Sequence, residues 1–218
     1  MRFNINTEKQ KARLQNDLSL GIPVLIKNNN ENYLISSIEM LKEEVFINFF
    51  QKSKQTPYLV ITKKRASSLN IMVYDKSIAR LTLHKNHDIN LLKKTADPTF
   101  DLSDPLKGPY KSIRGGSSEV AEYSIQLCKD AMLLPSTIIC KISNRIKLKF
   151  IEKGLLELDI SEKKNETKRN RLEKISDAIL PIKNIGEIRL HVFKFLEKNS
   201  EHYAIEIGSP SRDEEVIV

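Results

Sequence analysis

The sequence predicts an α+β fold in which helices pack on a mixed β-sheet, with an additional β-hairpin near the end of the chain. Short apolar runs, such as residues 24–26 and 58–62, are typical of buried strands. Between such runs lie stretches in which apolar residues recur every three or four positions, as they do on one face of a helix. Residues 179–195 alternate between apolar and polar side chains and are followed by a second such run at 202–208, which indicates a hairpin.

Turn-forming and charged residues divide this pattern into elements. Gly21 ends the first helix, because glycine readily adopts the left-handed conformation that follows a helix. Pro135 breaks the helix that begins near residue 118, because proline has no amide proton to donate. Residues 159–174 are nearly all polar or charged and predict a solvated helix or a hinge. The predicted elements are, in order, a helix at 7–20, strands at 24–26 and 33–37, a helix at 38–50, a strand at 58–62, a helix at 63–70, strands at 71–74 and 78–83, a helix from about 118, a strand at 137–142, and a strand and helix between 143 and 157.

The composition is that of a protein with a buried core and a basic surface. Of the 218 residues, 40% are hydrophobic, and the net charge is +8. Lysine and arginine are spread along the whole chain and form no known nucleic-acid-binding signature. No apolar run reaches the roughly 18–20 residues that span a membrane, and the N-terminal segment lacks the apolar core of a signal peptide. We therefore expect a cytoplasmic protein with no specific nucleic-acid partner and no membrane partner.

The cysteines and histidines do not have the spacing of an established metal site. Cys128 and Cys140 fall in a predicted helix and a predicted strand, where buried structural cysteines are common; a disulfide or a zinc site is the alternative. His84, His87 and Asp88 are close enough in sequence to share a metal, but no further ligand lies nearby. We expect these two histidines to face solvent on a loop.

Two basic segments are candidates for binding a phosphate. Lys107, Lys111 and Arg114 precede the helix that begins near residue 118, and helix N-termini attract anions. Glu122, in the first turn of that helix, is a further candidate for ligand contact. Residues 63–65 offer a second basic turn at the start of a short helix. A solvated basic surface is the interpretation that we favour for both segments, and phosphate binding is the alternative.

Residues 121–142 (AEYSIQLCKDAMLLPSTIICKI), together with DPLKG at 104–108, resemble the 3,4-dihydroxy-2-butanone 4-phosphate synthases, riboflavin-pathway enzymes that act on ribulose 5-phosphate. In that family the helix opens with Gly-His-Thr-Glu-Ala, and Glu122 falls on the family's glutamate. Val120 stands where the family has its metal-binding histidine. The family also has an acidic loop that binds magnesium; in the corresponding loop of this chain only Glu31 and Asn32 remain.

The C-terminal part resembles a second riboflavin-pathway enzyme. The segments around residues 179–195 and 202–208 are similar to the opening hairpin of GTP cyclohydrolase II, which opens the purine ring of GTP at a zinc ion held by three cysteines. The resemblance implies three parts: a degenerate synthase-like domain at 1–160, a charged linker at 161–175, and an incomplete N-terminal part of a cyclohydrolase II-like domain at 176–218. The zinc cysteines of that family lie downstream of the hairpin, and the sequence predicts a chain truncated at Val218.

These resemblances leave three functional hypotheses. The first is a riboflavin-biosynthesis protein related to GTP cyclohydrolase II whose synthase-like domain is not catalytic. The second is a non-catalytic scaffold that forms a homodimer through the synthase-like domain. The first hypothesis also expects this homodimer. The third is an active magnesium-dependent lyase on ribulose 5-phosphate. We predict no catalytic residue, no metal ligand and no cofactor in this chain, although the two families use magnesium and zinc.

Overall fold

The computed structural model describes residues 7–51, 55–84, 87–105, 107–161, 172–195, 201–208 and 211. The chain divides into two compact units, Met1–Lys163 and Lys164–Val218. The predicted fold class is confirmed: the first unit holds a mixed sheet packed by helices, and the second holds a separate antiparallel sheet. Residues 196–200, residues 162–171 of the predicted charged linker and the predicted end at Val218 lie outside the described residues.

Helices and strands alternate along the first unit in nearly the predicted order. Its strands are β1 Val24–Asn28, β2 Glu31–Ser37, β3 Tyr58–Thr62, β4 Ile78–Thr82, β5 Lys111–Ser112, β6 Ser136–Ile142 and β7 Glu157–Asp159. Its helices are α1 Thr7–Ser19, α2 Glu43–Val45 continued by a π-helical segment Phe46–Gln51, α3 Lys63–Ser68, α4 Ile89–Ala96 followed by a 3₁₀ turn Pro98–Phe100, α5 Glu119–Asp130 and α6 Asn144–Glu152.

The strands of the first unit form one sheet in which neighbours in sequence are not always neighbours in space. Among the described residues the sheet has seven strands in the order β5-β4-β3-β6-β2-β1-β7. All pairs are antiparallel except β1 with β7. Strand β6 lies in the middle, between β2 and β3, although it is separated from β3 in sequence by three helices and two strands. Formation of this sheet therefore requires contacts between segments that are far apart in the sequence.

Both faces of this sheet are covered. On one face, Leu25, Leu34 and Cys140 pack with the π-helical Phe46 and Phe50. On the other face, a second core joins the sheet to α1 and α5; it contains Leu14, Leu18, Val24, Ile26, Ile35, Val60, Val120, Ile125, Leu127 and Ile139. Successive strand residues point to opposite faces, so paired residues such as Leu25 and Leu34 share one core while Val24 and Ile35 share the other.

The second unit is a meander of three antiparallel strands among its described residues. The strands are β8 Leu172–Ile182, β9 Gly186–Phe195 and β10 Glu201–Ile207, with β9 in the middle. The predicted pairing of 202–208 with the preceding run is confirmed, since Tyr203 pairs with Val192 and Ile207 with Ile188. The run 179–195, predicted as one strand, turns at residues 183–185 and belongs to two strands. Strand β8 begins at Leu172, inside the segment that predicts a helix or hinge.

Three element predictions of the first unit are wrong in their details. The helix expected at 38–50 begins only at Glu43, because the Ile38 amide donates to the Ser136 carbonyl and keeps the chain beside β6 (3.1 Å). Residues 71–74 form no strand; the Ile71 amide instead donates to the Ala66 carbonyl at the end of α3 (2.9 Å). Between 143 and 157 the helix comes first, because the Ser143 hydroxyl accepts from the Ile146 amide at its N-terminus.

Gly21 tests the packing between the end of α1 and the turn after β2. Its φ of +75° lies in the left-handed region, and a Cβ added there would lie 2.4 Å from the Met40 carbonyl oxygen. We expect Gly21→Ala to lower the free energy of unfolding by about 2–4 kcal/mol, from left-handed strain plus this clash. Gly154→Ala, with φ +92° and no atom within 4 Å of the added Cβ, should cost about 1 kcal/mol. Urea unfolding followed by far-UV circular dichroism would measure both, and equal losses would contradict the clash.

Candidate functional site

A cleft of about 270 Å³ lies where the turn between β1 and β2 meets the N-terminus of α5. The fold thus brings together the two sequence regions, around Glu31 and Val120, in which the synthase resemblance implies metal ligands, although Asn28 and Glu119 are 91 residues apart. The side chains that line the cleft are mostly amides, tyrosines and small groups: Asn28, Asn29, Asn30, Glu31, Tyr33, Tyr58, Ser117, Glu119 and Val120.

The carboxylate at the start of α5 is held by an amide of the opposite wall. Asn28 donates to Glu119 Oε2 over 2.8 Å, and the Asn28 side chain is nearly buried. Val120, the next residue, is 5% exposed and packs into the core that joins α5 to the sheet. This wall of the cleft therefore presents one carboxylate already bound to an amide, beside an apolar side chain that binds no cation.

The remaining carboxylate of the cleft is neutralised by a lysine. Glu31 accepts hydrogen bonds from the Lys141 ammonium and the Tyr33 hydroxyl. These bonds, that of Lys141 first, lower the pKa of Glu31, so the side chain is an anion near neutral pH. Burial raises the pKa of Tyr58 to about 12, so this phenol remains neutral. Glu31 is exposed to solvent at the start of β2, and its charge is paired across the sheet with Lys141.

The loop before α5 is held by a buried arginine that the sequence analysis did not select. Arg80 of β4 is 6% exposed and makes a bidentate ion pair with Asp75, at 2.8 and 2.9 Å. Its guanidinium also donates to the carbonyl oxygens of Gly115 (2.7 Å) and Ser117 (3.1 Å). One signal was available: Arg80 is a charged residue inside an apolar strand run, where burial requires several partners.

Of the basic residues proposed for phosphate binding, at least one is already ion-paired within the protein. Lys107 is 1% exposed and is ion-paired with Asp101, so a phosphate would have to displace that carboxylate. Lys111 is exposed on β5, and Arg114 lies over the Tyr74 ring at 4.6 Å. Glu122 is exposed and accepts a hydrogen bond from the Ser118 hydroxyl (3.1 Å). None of these four residues lines the cleft, and their binding of a ligand stays a prediction.

A second arginine fastens the loop that follows α4. Arg65 makes a bidentate ion pair with Asp101 and donates to the carbonyl oxygen of Thr95 (2.7 Å). Its side chain is 10% exposed, so the interpretation of residues 63–65 as a wholly solvated basic turn is wrong for Arg65. Asp101 receives both Arg65 and Lys107, and their hydrogen bonds hold its pKa well below the usual range.

Both cysteines and one of the two loop histidines are buried. Cys128 and Cys140 are both buried thiols, as predicted, and burial raises the pKa of Cys128 to about 12. His87 is nearly buried, with its ring against that of Tyr110 at 5.3 Å, so the prediction that both histidines face solvent is wrong for His87. In the part of the chain that the structure describes, no group of three or more His, Cys, Asp or Glu side chains is placed to hold a metal.

A larger open depression, of about 410 Å³, lies between α1 and residues 154–156. Its polar side chains are Arg13, Asn16 and Asp17, and burial raises the pKa of Asp17. It contains none of the residues on which the resemblance depends. We therefore take the smaller cleft beside α5 as the candidate site.

None of the described helices is long and apolar enough to cross a membrane.

The fold is that of the 3,4-dihydroxy-2-butanone 4-phosphate synthases. The structure is similar to that of a two-domain synthase of this kind from A. baumannii, with a TM-score of 0.53 and 16% identity. The alignment covers 89% of this chain and 69% of the A. baumannii protein. A cation-free synthase matches 72% of this chain with a TM-score of 0.53 and 15% identity. A synthase in complex with two magnesium ions matches 68% with a TM-score of 0.51 and 15% identity.

In sequence, the chain is similar to GTP cyclohydrolase-2 of Azospirillum brasilense, with 24% identity over 191 residues. The match covers 83% of this chain and 48% of that enzyme, so the chain spans about half the length of this relative. No protein-family model matches the sequence. The resemblance predicted from the sequence, to a synthase domain together with GTP cyclohydrolase II, is confirmed and relates the chain to riboflavin biosynthesis.

Arg80 should be essential for the stability of the first unit. Replacing Arg80 by Met would leave Asp75, whose side chain is 12% exposed, without its cation, and we expect a loss of about 3–5 kcal/mol in the free energy of unfolding. Lys27→Met is the matched control, because the Lys27–Asp159 pair is 38% and 44% exposed and should contribute less than about 1 kcal/mol. Urea unfolding at neutral pH would compare them, and similar losses would show that the Arg80 network is not needed.

Asp101 should make stability depend on acidity. Because its pKa is lowered in the folded state, the stabilisation from this carboxylate is complete above its unfolded pKa of about 4 and is lost as the pH falls towards the folded value. We expect Asp101→Asn to lower stability at pH 7 and to flatten its decline between about pH 5 and pH 2. Urea midpoints measured across this range would show it. The exposed Glu44→Gln serves as control, and an unchanged slope in Asp101→Asn would contradict the prediction.

Proposed function

We propose that the chain is a riboflavin-biosynthesis protein related to GTP cyclohydrolase II, and that its first unit is a synthase-like domain without lyase activity. One observation carries this proposal: the cleft beside α5 is lined by three asparagines, two tyrosines and a valine, and both of its carboxylates already have partners within the protein. The chain has the fold of the synthases. The side chains in its cleft, however, are mostly amides, phenols and an apolar group rather than metal-binding groups.

The side chains of the cleft do not fit a magnesium site. Magnesium requires near-octahedral oxygen ligands and is usually bound by carboxylates. Glu31 is occupied by Lys141, whose ammonium would repel a cation, and Glu119 is hydrogen-bonded to Asn28. Val120 supplies no ligand atom at the position where the resemblance implies a histidine. Enolisation of a sugar phosphate also needs a general base, and asparagine cannot act as one.

Zinc chemistry of the cyclohydrolase type has no matching ligands in these residues either. The sequence contains two cysteines, Cys128 and Cys140, and both are buried in the core of the first unit. A burial-raised thiol pKa, as at Cys128, opposes the thiolate form that zinc requires. We therefore propose that neither cofactor is bound by the described part of this chain. Cytoplasmic location, a homodimer through the first unit and phosphate or ligand contacts by Lys107, Lys111, Arg114 and Glu122 remain further proposals.

The direct test is a lyase assay on the purified chain. With magnesium and ribulose 5-phosphate, we expect neither dihydroxybutanone phosphate nor formate above the level without protein, because the cleft lacks a metal site and both of its carboxylates are already paired. Formate can be followed by proton NMR, and a magnesium-binding synthase serves as positive control. Val120→His should also stay inactive, because Glu31 and Glu119 keep their partners. Formate production by the unmodified chain would overturn the proposal.

A further inference from the structure

The carboxylate of Glu119 keeps hydrogen-bonding capacity in the cleft beside α5. Its partner, the uncharged amide of Asn28, donates one hydrogen bond to Oε2 (2.8 Å). An ionised carboxylate can accept about four hydrogen bonds. Among the described residues no other side chain donates to this carboxylate, and Glu119 is exposed. The cleft wall therefore presents an open acceptor that is held in place by a nearly buried amide.

A tyrosine hydroxyl in the same cleft also has no partner in the part of the chain that the structure describes. Tyr58 is half-buried and lines the cleft, and its hydroxyl makes no hydrogen bond there. Burial raises the pKa of Tyr58 to about 12, so the hydroxyl keeps its proton and can donate. The hydroxyl of Tyr33, by contrast, donates to Glu31. The cleft thus offers a bound molecule one donor and one acceptor.

The apolar part of the cleft is suited to a flat ring. It consists of the rings of Tyr33 and Tyr58 and the side chain of Val120, which all pack in the core around α5. Aromatic side chains of this kind are the surfaces on which nucleobases stack in proteins. The volume of about 270 Å³ equals that of roughly nine water molecules at about 30 Å³ each. This is enough for one heterocyclic base, with a sugar at the opening beside the exposed Asn30 and Ser117.

The charges of the cleft disfavour an anionic ligand. Its described lining contains two carboxylates, Glu31 and Glu119, and no lysine or arginine. Lys141, from outside the lining, neutralises Glu31, whereas the partner of Glu119 is a neutral amide. A phosphate in the cleft would therefore meet the charge of Glu119 without a cation of its own. An uncharged ligand with hydrogen-bonding groups avoids this repulsion.

We propose that this cleft binds an uncharged nucleoside of the cytidine type, whose base carries an amino group beside a ring nitrogen. The amino group donates to the Glu119 carboxylate, as cytosine does to glutamate in base recognition, and the base accepts from the Tyr58 hydroxyl. Asparagine binds adenine through both of its amide groups, but Asn28 already uses one of them on Glu119, which favours cytosine. The inference rests on the proposed function, because it requires a cleft that holds no magnesium.

The test is a saturation-transfer NMR titration of the full 218-residue chain with cytidine and with uridine, which has a carbonyl in place of the amino group. We expect cytidine to bind with a dissociation constant on the order of 0.1–1 mM. Uridine should bind at least about tenfold more weakly, because its carbonyl oxygen would face the Glu119 carboxylate. This comparison needs no variant, so it decides the question even where a variant does not fold.

Two variants assign the contacts. Glu119→Gln should abolish the preference for cytidine, because an amide can donate to a carbonyl as well as accept from an amino group. Tyr58→Phe keeps the ring and removes the hydroxyl, and should weaken the binding of cytidine about threefold to tenfold. Glu152→Gln, which makes the same change at an exposed glutamate of α6, is the matched control and should bind cytidine like the unmodified chain.

Four results would overturn the inference. They are no saturation transfer to cytidine up to about 5 mM, equal binding of cytidine and uridine, ribose binding as tightly as cytidine, and cytidine monophosphate binding at least about tenfold more tightly than cytidine, which would show that the site recognises an anion. The formate assay separates this inference from the proposed function. A chain that makes no formate and binds no cytidine keeps the proposed function and loses only the ligand.

Discussion

The first unit depends on the burial of strand β6 on both of its faces. Every residue of Ser136–Ile142 except Lys141 is buried, and the strand pairs with β2 on one side and β3 on the other. Ile138 and Cys140 enter one hydrophobic core and Ile139 enters the other. A strand of this kind requires a layer of helices on each face. The positions of α1 and α5 on one side, and of the π-helical segment and α4 on the other, follow from this requirement.

The same strand positions the candidate site. The Ser124 hydroxyl of α5 is hydrogen-bonded to the Thr137 hydroxyl of β6 (2.8 Å) inside the core, which fixes the helix against the sheet. Arg80 holds the loop before α5, and the Asn28–Glu119 bond closes the helix N-terminus onto the β1–β2 turn. The cleft is thus held partly by residues that do not line it, such as Arg80, Ser124 and Thr137. Because these supporting residues lie outside the cleft, a fold can persist while the side chains in its cleft change.

The two units differ in how they bury apolar surface. The first unit encloses its sheet between helices. Its edge strands, β5 and β7, are short and pair with β4 and β1 respectively. The second has three strands in its described part and an apolar face that those strands cannot cover themselves. A small sheet gains stability mainly when its apolar face packs on another layer.

Local patterns in the sequence were enough for the elements whose structure depends on local chemistry. Helix α1 with its stop at Gly21, the β1–β2 hairpin, strands β3 and β6, and helix α5 all follow from periodicity and turn residues, and the burial of both cysteines follows from their elements. Val120 and the asparagine-rich turn, which give the cleft its chemical character, could also be seen in the sequence. Residues 38–50 and 71–74 were predicted wrongly, because contacts with Ser136 and Ala66, not periodicity, decide their conformation.

The tertiary structure alone decided which charges are available. Arg65 and Lys107 share Asp101, Glu31 is paired with Lys141 across the sheet, and Arg80 lies buried with Asp75. The partners in the first two groups are mostly tens of residues apart or more, and an ion pair at such separation leaves no local pattern in the sequence. The sequence by itself determined the fold class and the chemical character of the cleft, because both depend on residue identity and short-range periodicity. Long-range packing determined the pairing of its charges, because burial leaves a charged side chain only the partners that the fold brings within reach.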